Sequence, residues 1–274
     1  MTNTQTEKAK KFLELHRRGD PLLMPNAWDL GSAALLTALG FQALATTSSG
    51  HAATLGRLDG GVTRDEALAH AAVLAAGSEA PVSADLENAF ADEPAGVAET
   101  IALALEAGLA GCSVEDYSGR AEDPIYDLGL ARERVAAAVD VAHAGPVKLV
   151  LTARAENHIR GRDDLADTIA RLQAYQEAGA DVLFAPGLTA PDDIRRVIES
   201  VDRPVNVLAV RGVPTVAELA SLGVARVSVG GAFAFAALAA LSDAAEELRD
   251  DGTYGYLERS AAGAKAARSA FARS

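Results

Sequence analysis

PVSADLENAF (residues 81–90), AETIALALEAG (98–108) and GCSVEDYSG (111–119) read in succession as strand, helix and strand. The middle segment stops at Gly108, the residue type that ends helices because it tolerates a left-handed backbone. A strand, a crossover helix and a second strand predict two parallel neighbours. The first run ends in Asp85 and Glu87, the second in Glu115. Residues i and i+2 of a strand share a face, so Asp85 and Glu87 are expected on one side. Glu115 would join them from the next strand, about 5 Å away. Three carboxylates that close repel one another unless a proton or a cation neutralises them. A hard divalent cation with oxygen ligands answers that requirement. Mg²⁺ suits a few carboxylates plus retained waters, with Mn²⁺ as a substitute. The expected ligands are Asp85 directly, with Glu87 and Glu115 direct or through water.

The same alternation runs outward in both directions. Apolar runs begin at Leu22, Gln42, Pro81, Gly111, Lys148, Asp181, Pro204 and Ala225, with helical patterns between them. Helix starts carry capping-box spacings, Thr63 before Glu66 and Thr215 before Glu218. Eight strand–helix units in 274 residues favour a closed (β/α)₈ TIM-type barrel over an open doubly wound sheet. No G-x-G-x-x-G follows the first strand, which argues against a dinucleotide site. One helix is expected before the barrel (Glu7–Arg18) and one after it (Gly255–Ala272). GGAFAFAALAALSDAAEELRD reads as a packed helix. No linker divides the chain, so one α/β domain over 1–274 is expected.

Composition bounds the chemistry. The net charge of −13 disfavours nucleic acid, whose phosphates need a basic face, and anionic membranes. An anionic substrate must then be held by local donors. A single cysteine, Cys112, excludes an internal disulfide and reads as a buried small apolar residue. The first twenty residues lack the apolar core of a secretory signal, and no apolar run is long enough to span a bilayer. A cytoplasmic protein is expected.

Active sites of such barrels lie at the C-terminal ends of the strands. Polar residues concentrate there: Asn26 to Asp29, Thr46 to His51, Asp85 to Asn88, Glu115 and Asp116, Thr152 to Glu156, Asn206, and Gly230–Gly231. The Thr46–Gly50 run offers hydroxyls and backbone N–H groups in a tight turn able to cradle an anion. Arg154 could clamp a carboxylate with two parallel hydrogen bonds. Alternatively it simply pairs with Asp85 or Glu115, though one guanidinium cannot neutralise three carboxylates. Trp28 either walls the pocket or fills the barrel mouth. His70 and His143, inside helical patterns, are expected at the surface.

The ordered set PNAWD, TTSSG, ADLENAF, SVEDYSG, LTARAEN, FAPG, PVNVLA and ARVSVGG, from Pro25 to about Phe235, resembles the isocitrate lyase/phosphoenolpyruvate mutase superfamily. The resemblance implies a (β/α)₈ barrel, a bound Mg²⁺, and 2-oxo or 2-hydroxy acid substrates. It also implies a homodimer or homotetramer, often with the last barrel helix swapped between subunits. Carried over by resemblance, Asp85, Glu87 and Glu115 are the metal group. Ser48, Ser49 and Gly50 form the carboxylate-binding turn, Trp28 is the pocket aromatic and Arg154 the substrate arginine. Asp59, in LGRLDGG, is the acidic residue of the gating segment. Asn206 joins the substrate-binding set. The resemblance also departs. The lyases' Lys-Lys-Cys-Gly loop and the mutases' Lys- and Asn-containing loop are both replaced by YSGRAEDPIYD (117–127). A histidine frequent after strand six is replaced by Ala185-Pro186-Gly187. The expected activity is Mg²⁺-dependent C–C cleavage of a small 2-oxo or 2-hydroxy (di)carboxylate, with oxaloacetate-type decarboxylation needing least from an acid. Tyr117 is a candidate proton donor by position. A P–C bond mutase or hydrolase and a non-catalytic oxo-acid binder are the alternatives.

Overall fold

The computed structural model describes residues 4–272; the expected domain span 1–274 reaches past them at both ends. The strands are β1 (Leu22–Met24), β2 (Leu44–Ala45), β3 (Val82–Asp85), β4 (Gly111–Glu115), β5 (Val150–Arg154), β6 (Val182–Phe184), β7 (Val205–Leu208) and β8 (Arg226–Ser228). All pair in parallel, in the order β1-β8-β7-β6-β5-β4-β3-β2. The gap between β1 and β2 is spanned by a parallel bridge, Asn26 with Ala45, and by the Ala27 amide donating to Ala45 O at 2.7 Å. The result is the (β/α)₈ barrel.

The helices are α1 (Gln5–Glu14), α2 (Leu30–Ala38), α3 (Ser48–Thr54), α4 (Arg64–Gly77), α5 (Pro94–Glu106) and α6 (Leu128–Ala144). They continue as α7 (Leu165–Glu177), α8 (Pro191–Ser200), α9 (Val216–Ser221), α10 (Ala232–Glu246) and α11 (Tyr256–Phe271). Both expected capping boxes form, at Thr63–Glu66 and Thr215–Glu218. The N-terminal helix ends earlier than its pattern suggested. The chain turns at Gly19, whose φ of +79° no helix continues. The TTSSG run is the start of a short helix rather than a free turn, with the Thr47 hydroxyl capping the Gly50 amide.

Strand residues alternate between two environments. Val82, Ala84, Cys112, Val114, Leu151, Ala153 and Val227 join the apolar layer under the helices. Their neighbours Ser83, Asp85, Thr152, Arg154, Arg226 and Ser228 point to a polar barrel axis. α1 closes the far end, packing Ala9 and Phe12 on Leu22, Met24, Ala45, Val150 and Val182. α11 packs on α2.

α10 departs from expectation. Of its fifteen residues only Ala234 is buried, and Phe233, Phe235, Leu238 and Leu241 are 40–65% exposed. Its apolar face extends off the barrel and finds no cover within the described chain. No helix among the described residues is long and apolar enough to cross a membrane.

Candidate active site

Two adjoining cavities open at the C-terminal ends of the strands. One, of about 210 Å³, is lined by Ser48, Ser49, Asp59, Asp85, Arg154, Glu156, Arg160 and Arg226 among others. The other, of about 450 Å³, is lined by Ser48, Asp59, Glu87, Glu115, Tyr117, Arg154 and Arg160. A hollow of about 330 Å³ at the opposite end of the barrel, around Arg17, Asp20 and Phe41, holds none of these residues.

Arg154 stands between the two cavities with its donors turned to three carboxylates. Nη1 donates to Asp85 Oδ1 at 3.0 Å and Nε to Glu156 Oε1 at 2.9 Å. Nη2 lies 3.0 Å from Glu115 Oε2 and 2.8 Å from Glu156 Oε1. Burial works against this charge, but Glu115, Glu156 and Asp85 outweigh it and push the guanidinium pKa up. Asp85 Oδ2 in turn accepts from the Ser48 amide at 3.1 Å and the Ser48 hydroxyl at 3.0 Å. The start of α3 therefore spends its donors on a protein carboxylate in this state. Asp85, Glu87 and Glu115 do not converge as the sequence suggested. Among the described residues no three acidic, His or Cys side chains gather as a ready cation cage. Arg154 reaches between Asp85 and Glu115, and among the described residues Glu87 makes no ion pair.

Glu87 also reaches its position by a different route. β3 ends at Asp85, so strand alternation does not extend to Glu87. Its φ is +51°, and Ala89 and Phe90 follow at +60° and +55°. Left-handed backbone at non-glycine residues is strained, and persists where the surroundings enforce it. Arg134 of α6, 1% exposed, pins this turn from behind. Its guanidinium donates to the carbonyls of Asn88 at 2.6 Å, Asp92 at 2.5 Å and Ala91. The Glu87 carbonyl also accepts the Glu115 amide at 2.9 Å. Burial, then the charges of Asp85 and Asp59, raise the Glu87 carboxyl to about 7. Burial likewise holds Glu115 well above the usual carboxylate range.

The remaining expected residues fall in distinct places. Asp59 lines both cavities, and Tyr117 lines the larger. Trp28 and Gly50 lie in a separate apolar cavity with Ala234 and Leu238. A Cβ on Gly50 would meet Thr47 Cγ2 at 2.5 Å and Trp28 Cβ at 3.2 Å, so glycine permits that packing. Asn206 is buried below the mouth, donating to Ser228 Oγ at 2.9 Å and accepting from Arg226 Nε at 2.9 Å. Asp116 is a structural anchor, accepting from the Glu156 amide (2.8 Å), Arg171 (3.0 Å) and Tyr175 (2.5 Å). His70 is not at the surface. Its ring stacks on His51 with centroids 3.8 Å apart and contacts the Trp28 carbonyl at 2.9 Å. Burial, then His51, lowers its pKa to about 4. His143 is likewise half-buried, 3.0 Å from Asp181. Cys112 is fully buried and its thiol is pushed up to about 12, as expected for an inert packing residue.

The donor chemistry fits a hard cation. Around the two cavities stand five carboxylates (Asp59, Asp85, Glu87, Glu115, Glu156) and three guanidiniums (Arg154, Arg160, Arg226). The formal excess is two negative charges, and burial shifts Glu87, Glu115 and Glu156 toward their protonated forms. A dication that takes one or two carboxylates and keeps its waters would let these acids ionise.

The sequence reading passed over Arg160 and Arg226. Arg160 sits in ENHIRGRDD (156–164), beyond the end of β5. Arg226 sits in the body of a strand, where a polar axis was not expected.

The chain matches known proteins over most of its length. The family model described as phosphoenolpyruvate phosphomutase covers residues 12–249. An uncharacterized protein of Mycobacterium tuberculosis is 36% identical over 87% of this chain and 89% of its own. The 2-methylisocitrate lyase of Escherichia coli K12 is 29% identical over 89% of this chain and 85% of its own. A lyase/mutase candidate from Burkholderia cenocepacia J2315 superposes with a TM-score of 0.90 at 53% identity, covering 93% of this chain and 92% of its own. A solved 2,3-dimethylmalate lyase superposes with a TM-score of 0.82 at 27% identity, covering 93% and 90%. With the barrel, the acidic mouth and these matches in agreement, the chain is an enzyme of the isocitrate lyase/phosphoenolpyruvate mutase superfamily, a member of the phosphoenolpyruvate phosphomutase family.

Proposed function

We propose that this enzyme is a Mg²⁺-dependent lyase that cleaves a C–C bond of a small 2-oxo or 2-hydroxy dicarboxylate. The observation that carries the reading is the excess of carboxylate over guanidinium at the barrel mouth. Such walls repel an anionic substrate unless a cation enters with it. Asp85 would hold the cation, and Glu87 and Glu115 would order its waters. When bound, the ion supplies Lewis-acid polarisation of the substrate's 2-oxygen. The protein does the rest. Ser48, once its donors turn from Asp85, and Ser49 bind the carboxylate next to the 2-oxygen. Arg154, oriented by Glu156, faces the charge that develops as the bond breaks, which is where fixed donors lower a barrier. Tyr117 stands in the larger cavity as the candidate proton donor. The names of related proteins point to small hydroxy or oxo acids: they include 2-methylisocitrate and 2,3-dimethylmalate lyases and an oxaloacetate acetylhydrolase solved with oxalate. The exposed apolar face of α10 supports a homo-oligomer in which that helix is covered by a second subunit.

A second reading, P–C bond isomerisation of a phosphonopyruvate-type acid, is favoured by the description of the matching family model. Product release from a panel of 2-oxo and 2-hydroxy acids, with and without Mg²⁺, tests the first. The expected result is metal-dependent turnover of at least one dicarboxylate. No turnover with any member sinks it. Phosphorus NMR with phosphonopyruvate tests the second.

A further inference from the structure

Arg154 cannot be the only cation offered to a dicarboxylate, because its donors already serve Asp85, Glu115 and Glu156. Arg160 faces two of the same acids more loosely. Its guanidinium lies 3.7 Å from Glu115 Oε1 and 3.4 Å from Glu156 Oε2, and neither approach is a hydrogen bond. Among the described residues Glu156 Oε2 has no hydrogen-bond partner. The Arg160 Cζ sits 3.5 Å from the centroid of the Tyr117 ring. A guanidinium stacked on an aromatic face keeps its N–H donors around its edge, free for a planar anion. Arg160 lines both cavities, as do Ser48, Asp59 and Arg154. Its side chain is 32% exposed, so it stands at the rim rather than in the core.

The loop that carries Arg160 is fixed in place. The Arg160 amide donates to Glu156 O at 3.1 Å, and His158 Nδ1 lies 3.0 Å from Asp163. Behind it, Gly187 has φ +94°, and a Cβ there would meet the Ile159 backbone nitrogen at 2.8 Å. Gly187 belongs to the Ala185-Pro186-Gly187 segment, and any larger residue would push this loop off its seat.

We propose that Arg160 is a specificity-determining residue that receives the distal carboxylate of the substrate. The inference rests on the proposed reading, in which the 2-oxygen end lies at Asp85 and Ser48, and it names what the other end meets. A carboxylate carries one charge and matches one guanidinium bidentately. A phosphonate dianion would bring an extra charge to walls already in excess.

Malate and 2-hydroxybutyrate test this, since they differ only by a carboxylate in place of a methyl group. Calorimetric titrations in Mg²⁺ compare wild type, Arg160→Gln and Arg160→Lys, with oxalate as a probe of the 2-oxygen end. Wild type should bind malate at least about tenfold tighter than 2-hydroxybutyrate. Arg160→Gln should erase that preference through malate alone, and Arg160→Lys should restore part of it. A malate preference that survives Arg160→Gln, or none in wild type while oxalate binds, overturns the assignment of Arg160. Failure of oxalate to bind wild type overturns the proposed reading of the site, and the assignment with it.

Discussion

Two buried arginines on the same barrel axis live in opposite surroundings. Arg154, at the mouth, is ringed by Asp85, Glu115 and Glu156. Arg226, deeper, touches only neutral groups: Asn206 Oδ1 at 2.9 Å, His16 Nε2 at 3.0 Å and Thr152 Oγ1 at 3.2 Å. The first is held charged by its neighbours. The second is pulled down to about 9, by burial and then by Arg154 itself. Burial alone therefore does not set the state of a guanidinium here; its counter-charges do. The mouth gathers carboxylates that outnumber its guanidiniums, while on the floor Arg226 stands as a cation among neutral partners. That contrast is why the proposed cation is placed at the mouth.

The contrast is broken most severely by removing Arg154. Arg154→Met leaves Glu115 and Glu156 buried without their cation, and should cost about 3–5 kcal/mol in urea unfolding and abolish turnover. A loss under about 1 kcal/mol would mean that the carboxylates are not held by it.

The floor is probed by pH. Burial, then Arg226, lowers the His16 pKa to about 3, against 6.5 for the free side chain. Below 6.5 the unfolded chain takes up a proton that the folded chain refuses, so this residue costs stability as pH falls from 6.5 toward 3. Glu87, raised to about 7, contributes the opposite slope. The informative quantity is therefore a difference. Between pH 7 and 4, wild type should lose about 2–3 kcal/mol more than His16→Gln. Parallel curves would show that His16 is not buried neutral.

Arg226→Met comes next. It strips donors from Asn206 and Thr152 but exposes no carboxylate, so a loss of about 1–3 kcal/mol is expected. It should remain smaller than that of Arg154→Met in the same assay. Gly187→Ala is the gentlest. Positive φ and the close Ile159 backbone should cost about 1–2 kcal/mol and weaken dicarboxylate binding more than oxalate binding.

The barrel was legible because period-two runs, helix caps and terminal glycines agree along the whole chain. PVSADL and GCSVED became β3 and β4 with Asp85 and Glu115 at their ends, as their spacing implies. Glu87 was not legible. Its left-handed backbone belongs to a turn that Arg134 pins at the Asn88 carbonyl, a contact from forty-six residues away that leaves no local signature. Arg160 escaped for a related reason, since its importance arises from the stack on Tyr117 and the loop's seat on Gly187. The apolar pattern of α10 was visible, but whether a helix is covered within one chain is not written in its own periodicity.

The central claim is that the surplus acids of the mouth admit a dication together with an oxo acid. Calorimetry of oxalate binding to wild type and Asp85→Ala, each with Mg²⁺ and with EDTA, tests it most directly. The account predicts binding by wild type only when Mg²⁺ is present and a loss of at least about a hundredfold in Asp85→Ala. Oxalate binding that ignores EDTA, or that Asp85→Ala leaves intact, would contradict it.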